Sequence, residues 1–243
     1  HGQRLNSTAA MDRAPSHVDP KLLDELLGIL GPEGLVVDAD AIESSTRTCL
    51  PFRTLASIVV YPRDAEQVQA VVRAAAKADM PVWTVRTGKN FGYGERTAIY
   101  EAGITMVLER MNRIWHVVEQ LGYAVIEPGV TYKQINDHLK QHGSRLWADT
   151  AGSTQYASVL GNALDKGRGL TPMADHFGCL CGMDVVLADG SLLETGGGPA
   201  GNNSVRHTYK WGVGPYLDGL FVQSNLGIVV KSGIWLMPAP EKF

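Results

Sequence analysis

Pro81-Val82-Trp83-Thr84-Val85 runs directly into Arg86-Thr87-Gly88-Lys89-Asn90-Phe91-Gly92-Tyr93-Gly94, and this junction decides the fold. The first five residues read as a strand, rich in β-branched and aromatic types. Gly88, Gly92 and Gly94 permit positive φ and close approach of the backbone to a ligand. Consecutive N–H groups in such a loop can converge on one concavity and hold a phosphate, with Lys89 adding a point charge. The same glycines also suit a tight, ligand-free turn. The spacing is not that of a Rossmann turn, because no amphipathic helix opens directly after it, and the Gly-Lys-Ser/Thr of a P-loop is missing.

Upstream, Ser57-Ile58-Val59-Val60-Tyr61 reads as a buried strand closed by Pro62. Asp64 then caps a helix, with Gln67 at capping-box spacing and Val68, Val71, Val72 and Ala75 on the apolar face. Strand, helix and strand predict a parallel unit with a right-handed crossover. Before it, Leu22, Leu23, Leu26, Leu27 and Leu30 have helical spacing ahead of Gly31-Pro32. Residues 38–55 show no regular pattern. Residues 1–18 are polar without helical periodicity, and read as disordered or left over from expression.

Downstream the texture changes. Ile104 to Leu108 and Tyr123 to Glu127 read as short strands, and Pro128-Gly129 turns the chain into a helix over 132–142 with Ile135 and Leu139 inward. Met183 to Ala188 and Ser191 to Glu194 flank Asp189-Gly190, a two-residue hairpin signal. Residues 196–214 are rich in Gly and Asn and read as a long surface loop. Leu217 to Ser224 reads as a short helix, and Gly227 to Met237 as a final strand closed by Pro238 and Pro240. The predicted class is α+β with two lobes: a small βαβ lobe over about 19–100, and a larger lobe of antiparallel sheet and helices over about 101–243.

A second glycine-rich element, Ala157-Ser158-Val159-Leu160-Gly161-Asn162-Ala163, precedes Asp165-Lys166-Gly167-Arg168-Gly169. A helix of small residues lets a planar ligand lie close to the backbone. Ser158 and Asn162 stand four apart, on one helical face, where both could hydrogen-bond a polar ring edge. Tight helix packing through the small residues accounts for the same pattern. His176 suits a base or a ligand, but no second histidine stands at metal-ligand spacing, and a structural histidine paired with backbone or Asp175 explains it as well. Turn chemistry accounts for Glu127 beside Pro128-Gly129. No metal site is expected.

The 243 residues are 44% hydrophobic and 19% charged with a net charge of -3, which gives no general affinity for nucleic acid or anionic membrane. Cys179 and Cys181 are not at zinc spacing and are expected as buried thiols, while Cys49 carries no signal. No apolar run nears the about 20 residues that span a bilayer, and no secretory signal opens the chain. A soluble cytoplasmic or periplasmic protein is the expectation.

Together these segments resemble the flavoproteins of the p-cresol methylhydroxylase, vanillyl-alcohol oxidase and eugenol oxidase type. The resemblance rests on PVWTVRTGKNFGYG (81–94), Met111-Asn112-Arg113, EPGVTY (127–132), Leu146-Trp147, SVLGNA (158–163), GRGLTPMADH (167–176), GMDVVLADG (182–190), GPYLD (214–218) and QSNLGIVVKSGIWLMP (223–238), in family order. It implies a two-lobed domain that binds FAD. Gly88, Lys89, Asn90, Phe91, Gly92, Tyr93 and Gly94 would wrap the pyrophosphate. Ala157, Ser158, Gly161, Asn162, Gly167 and Leu170 would line the ribityl and ring path, and Gly227, Ile228 and Val229 would give backbone contacts near the adenine end or the ring.

The resemblance implies an FAD-dependent oxidoreductase that oxidises para-alkyl or para-hydroxyalkyl phenols by hydride transfer to flavin N5, the flavin carrying the redox chemistry and the protein orienting it. Two departures bear on this. The family carries a second domain after the FAD domain, which caps the flavin, supplies most substrate contacts and in some members supplies a covalent link; that cap domain is expected to be absent here. Close relatives also have Asp-Val-Pro-Asp after the Leu-Trp pair, and only the first aspartate is matched in Asp149-Thr150-Ala151-Gly152-Ser153. No catalytic residue is therefore assigned. Asn90 stands near the position where relatives of the wider fold attach FAD through histidine, so non-covalent FAD is implied. A separate cap chain, a cytochrome electron acceptor and self-association are the partners open to such a chain. A flavin-binding module without independent catalysis, and a scaffold that has lost the cofactor, are the competing readings.

Overall fold

The computed structural model describes residues 18–48, 51, 54–90, 95–98, 101–197, 205–211, 214–239 and 241. Phe91, Gly92, Tyr93 and Gly94, residues 1–17, Cys49 and residues 198–204 and 212–213 are among those outside it.

Four strands form the sheet of the small lobe: β1 (Leu35–Val36), β2 (Ile58–Val60), β3 (Val82–Val85) and β4 (Ile104–Val107). Their order is β1-β2-β4-β3, with β2, β4 and β3 parallel and β1 antiparallel at the edge. The expected strand–helix–strand unit is parallel, but β2 and β3 are not neighbours. β4, expected in the larger lobe, lies between them. All four of its residues are buried, as the centre of a parallel sheet covered on both faces requires.

The helix between β2 and β3, α3 (Ala65–Lys77), begins as its sequence predicts: Asp64 accepts from Gln67 N at 2.8 Å. The return bond shifts by one residue, because Gln67 Oε1 accepts from Arg63 N at 2.9 Å. Val68, Val71, Val72 and Ala75 bury against β2 and β4, and Leu22, Leu26 and Leu30 of α1 (Pro20–Leu30) close over them. Leu27 faces solvent. Between β1 and β2 lies α2 (Ala39–Ser45), in a stretch that had shown no pattern; it buries one side chain, Ile42, too few to leave a periodic signal.

The larger lobe is built on β5 (Ile114–Val118), β6 (Tyr123–Ile126), β8 (Leu180–Leu187), β9 (Leu192–Glu194) and β10 (Gly227–Trp235). Their order is β5-β6-β10-β8-β9, antiparallel throughout, with Asp189-Gly190 turning the β8–β9 hairpin as expected. The final strand breaks at Leu236, and β11 (Met237–Pro238) pairs instead with β7 (Leu146–Trp147). The helix expected over 217–224 is a single 3₁₀ turn, Asp218–Phe221. Asp218 is buried and holds that turn to the sheet, accepting from Gly182 N at 2.9 Å and from the Thr195 hydroxyl. Helices α4 (Tyr132–Gln141) and α5 (Val159–Leu164) bury Ile135, Leu139, Leu160 and Leu164 against Ile126, Met183 and Val229. Cys179 and Cys181 are free and buried, and burial pushes the Cys181 thiol up to about 12.

Helix α3 joins the lobes. Gln69 and Arg73 donate to the Gly190 carbonyl at 2.7 and 2.9 Å, and Val186 and Val230 of the larger sheet share the apolar cluster of α3. No helix among the described residues is long and apolar enough to cross a membrane.

Candidate cofactor site

A cavity of about 600 Å³ opens between the lobes. This lies within the about 300–1,000 Å³ of small-molecule sites. Its small-lobe wall is α3 (Val72, Ala75, Ala76) and β3 with the turn after it, from Val82 to Gly88. The facing wall comes from α5 and its two caps (Ser158, Gly161, Asp165), the end of β8 (Val186, Leu187, Ala188) and the entry to β10 (Gln223 to Asn225, Gly227, Ile228).

The turn after β3 is held by Thr87, Ser158 and Arg96. Gly88 has φ +61°, a left-handed conformation that favours glycine. Thr87 Oγ1 accepts from Ser158 N at 3.2 Å, tying this turn to the start of α5. Ser158 is the N-cap of α5: its hydroxyl accepts from Gly161 N at 2.8 Å and donates to the Pro128 carbonyl at 2.5 Å. Arg96 donates to the Thr87 carbonyl at 3.1 Å and pairs with Glu109.

Of the residues expected at the cofactor, Gly88, Asn90, Ser158, Gly161, Gly227 and Ile228 line this cavity. Lys89 is exposed and off the lining. Ala157 and Val229 are fully buried in the larger core. Asn162 faces away, with Oδ1 2.5 Å from His176 Nδ1, and Gly167 packs so closely that an added Cβ would stand 2.2 Å from Asn162 Nδ2. Leu170 is 83% exposed, beyond the cavity. Phe91, Gly92, Tyr93 and Gly94 lie outside the described residues. Ser158 and Asn162 thus do not share one ligand-facing surface. The offset of four applies within a helix, whereas Ser158 has the extended φ −69°, ψ 132° of a cap.

His176 belongs to a different, buried cluster. Its Nε2 donates to Asp149 Oδ2 at 3.1 Å, and its Nδ1 faces Tyr132 Oη at 3.1 Å as well as Asn162. Asp175, the expected neighbour, instead accepts from Gly178 N at 3.0 Å. Burial, with Asp149 and Cys179 adding to it, raises the Tyr132 phenol far above its usual range. Glu127 is structural: it accepts from Arg113 N at 2.8 Å. No group of three or more metal-ligating side chains occurs among the described residues.

Whether this cavity suits a dinucleotide is decided by its unsatisfied donors. Trp83 Nε1 and Arg86 Nε are buried without a hydrogen-bond partner, and both side chains line it. Buried donors without partners are rare in folded proteins and cost about 1–3 kcal/mol each. Apolar walls with a few unspent polar groups are the usual make-up of a cofactor cleft. The residues present therefore fit FAD: the aromatic and aliphatic stretch along Val82, Trp83 and Ile228 suits a planar base, and the turn at Arg86 to Gly88 suits phosphate.

Two lobes clasping such a cleft define a cofactor-binding domain. The family described as FAD binding domain matches residues 56–196, and the chain belongs to it. The 4-cresol dehydrogenase [hydroxylating] flavoprotein subunit of Pseudomonas putida is 35% identical over 226 residues, covering 92% of this chain and 43% of that protein. The 1'-carboxy-chondrochloren decarboxylase of Chondromyces crocatus is 40% identical over 213 residues, covering 88% and 39%. The crystal structure of p-cresol methylhydroxylase with substrate bound superposes with a TM-score of 0.88 at 35% identity, covering 91% and 44%. The chain thus spans less than half the length of the curated relatives it matches.

Proposed function

We propose that this chain is the cofactor-holding part of an FAD-dependent oxidoreductase acting on para-alkyl or para-hydroxyalkyl phenols, with FAD held non-covalently. The observation that carries the reading is the interlobe cleft, where Trp83 Nε1 and Arg86 Nε await acceptors beside the Gly88 turn and the start of α5. Bound flavin supplies a two-electron acceptor for hydride. The chain's own part is to bind and orient. Gly88 and Asn90 hold the diphosphate, with Ser158 and Gly161 opposite. Gly227 and Ile228 place backbone at the base end. The apolar wall of Val72, Ala75 and Val82 excludes water. Asn90 in place of a histidine supports non-covalent attachment.

The titratable groups on the described walls are Arg86, Asp165 and Glu95, and no catalytic residue for a phenol is assigned among them. This favours a second reading, in which residues 19–243 form a flavin-binding module and the phenol pocket comes from a cap domain or a separate chain. A cytochrome is the electron acceptor to test in either case. Sequence likeness over this segment includes both a dehydrogenase subunit and a decarboxylase, so the segment supports the cofactor more strongly than the reaction.

Purified chain incubated with FAD and desalted is expected to keep the flavin absorption bands and to release all flavin on acid precipitation. Anaerobic addition of 4-cresol then separates the two readings: bleaching marks a catalytically complete chain, and persistence of the bands marks the module. A colourless protein after desalting overturns both.

A further inference from the structure

Arg86 is the one cation among the described lining residues of the cleft, against two carboxylates, Asp165 and Glu95. It sits at the end of the wall that begins at Trp83, a separation of about 10 Å along an extended strand. Its Nε is buried and unpaired, and no described carboxylate is in ion-pair contact with it. Arg96 is the contrast, since it leans on the same turn and is already neutralised by Glu109.

Asp165 is the charge that Arg86 senses. The two attract each other without touching, and burial outweighs the attraction for both, lowering the Arg86 pKa and raising that of Asp165. Each ion is undercompensated in the free cleft. Such a pair is poised for exchange. A diphosphate offers a guanidinium bidentate, charge-assisted hydrogen bonds, whereas Asp165 offers attraction at a distance.

We propose that Arg86 is an anion-recognition residue that receives the diphosphate of an adenine nucleotide, and that Asp165 is the internal counter-ion from which it is released on binding. This rests on the FAD-holding reading above and assigns the charge recognition within it to two residues. A nucleoside without phosphate draws nothing from Arg86, so the cleft discriminates by charge. Binding is therefore salt-sensitive, because the exchanging groups are only partly screened from solvent.

Calorimetric titration of the chain with ADP and with adenosine, at low and at high salt, tests this. R86Q is expected to weaken ADP by about 10- to 100-fold, the worth of a hydrogen bond to a charged group, and to leave adenosine nearly unchanged. D165N is expected to tighten ADP, since it removes both the competing carboxylate and its repulsion of the ligand. Equal weakening of ADP and adenosine in R86Q, or weaker ADP binding in D165N, overturns the proposal. Should R86Q not fold, D165N and the wild-type salt series decide: ADP affinity that falls with salt while adenosine stays level supports it, and two level series overturn it. FAD retained equally by wild type and R86Q sinks the inference and spares the FAD reading. Arg86-dependent ADP binding without FAD retention does the reverse.

Discussion

Replacing Asp149 by alanine probes the buried cluster behind α5. The Asp149 and His176 side chains are 6% and 5% exposed, and their bond at 3.1 Å joins residues far apart in sequence. Asp149 also accepts from Thr150 N at 2.8 Å. Asp149→Ala leaves the buried His176 Nε2–H without its carboxylate acceptor. Losing a buried hydrogen bond to a carboxylate costs about 1.5–3 kcal/mol. In a domain of this size that lowers Tm by about 3–12 °C. Asp149→Asn keeps an acceptor and should lose less than half as much. Differential scanning fluorimetry of D149A, H176A and the double variant gives the coupling, expected at about 1–3 kcal/mol. A D149A shift below about 3 °C, or additive single effects, would refute the claim that the two side chains hold this region jointly.

Gly88→Ala forces a Cβ onto φ +61° and to within 2.3 Å of Arg96 Cγ; the conformational penalty alone is about 1–2 kcal/mol. Tm should fall and desalted protein should keep less FAD, and an unchanged protein would show that the turn tolerates a side chain. His207 donates from Nδ1 to the Cys181 carbonyl at 2.8 Å. Burial is the largest influence on it and lowers its pKa; Arg206 and His116 lower it further, while the bond to Cys181 and Asp184 act the other way. The unfolded chain therefore takes up a proton first as pH falls below about 6.5. Stability is full above that value and declines as pH drops toward the folded pKa. His207→Gln should flatten the decline, and parallel stability curves for the two proteins would dismiss it.

Local chemistry was legible wherever it was written in neighbouring residues. Asp64 and Gln67 announced the start of α3, Asp189-Gly190 the β8–β9 hairpin, and Ile135 with Leu139 the inner face of α4. Pairing between distant strands was not. Ile104 to Val107 looks the same in sequence whether it opens the larger lobe or fills the middle of the smaller one; only its register with both β2 and β3 separates the cases. The site divides in the same way. Gly88 could be found because a glycine in a turn is a local signal, whereas Gly227 came only with the family resemblance. Arg86 and Trp83 could not, since what marks them is the lack of a partner, a property of the folded surroundings. The sequence offered His176 the backbone or its neighbour Asp175 as partner, but Asp175 turns to Gly178 N and the ring meets Asp149 and Asn162 instead.

The motif stretches gain a physical unity at Ser158. Residues 81–94, 127–132 and 158–163 are separate strings in the sequence. In the fold they meet at one residue: Ser158 N donates to Thr87 Oγ1, its hydroxyl donates to the Pro128 carbonyl, and the same oxygen accepts from Gly161 N. Ser158 is 1% exposed, so a string that moved would leave its own bond to Ser158 unsatisfied. The node therefore fixes the Gly88 turn relative to α5, the two edges of the cleft proposed to hold the diphosphate. A strand, a turn and a helix start that look like independent signatures are thus constrained by a single requirement. Hydrogen-bond satisfaction at a buried serine holds the cofactor walls at a set separation before any ligand arrives.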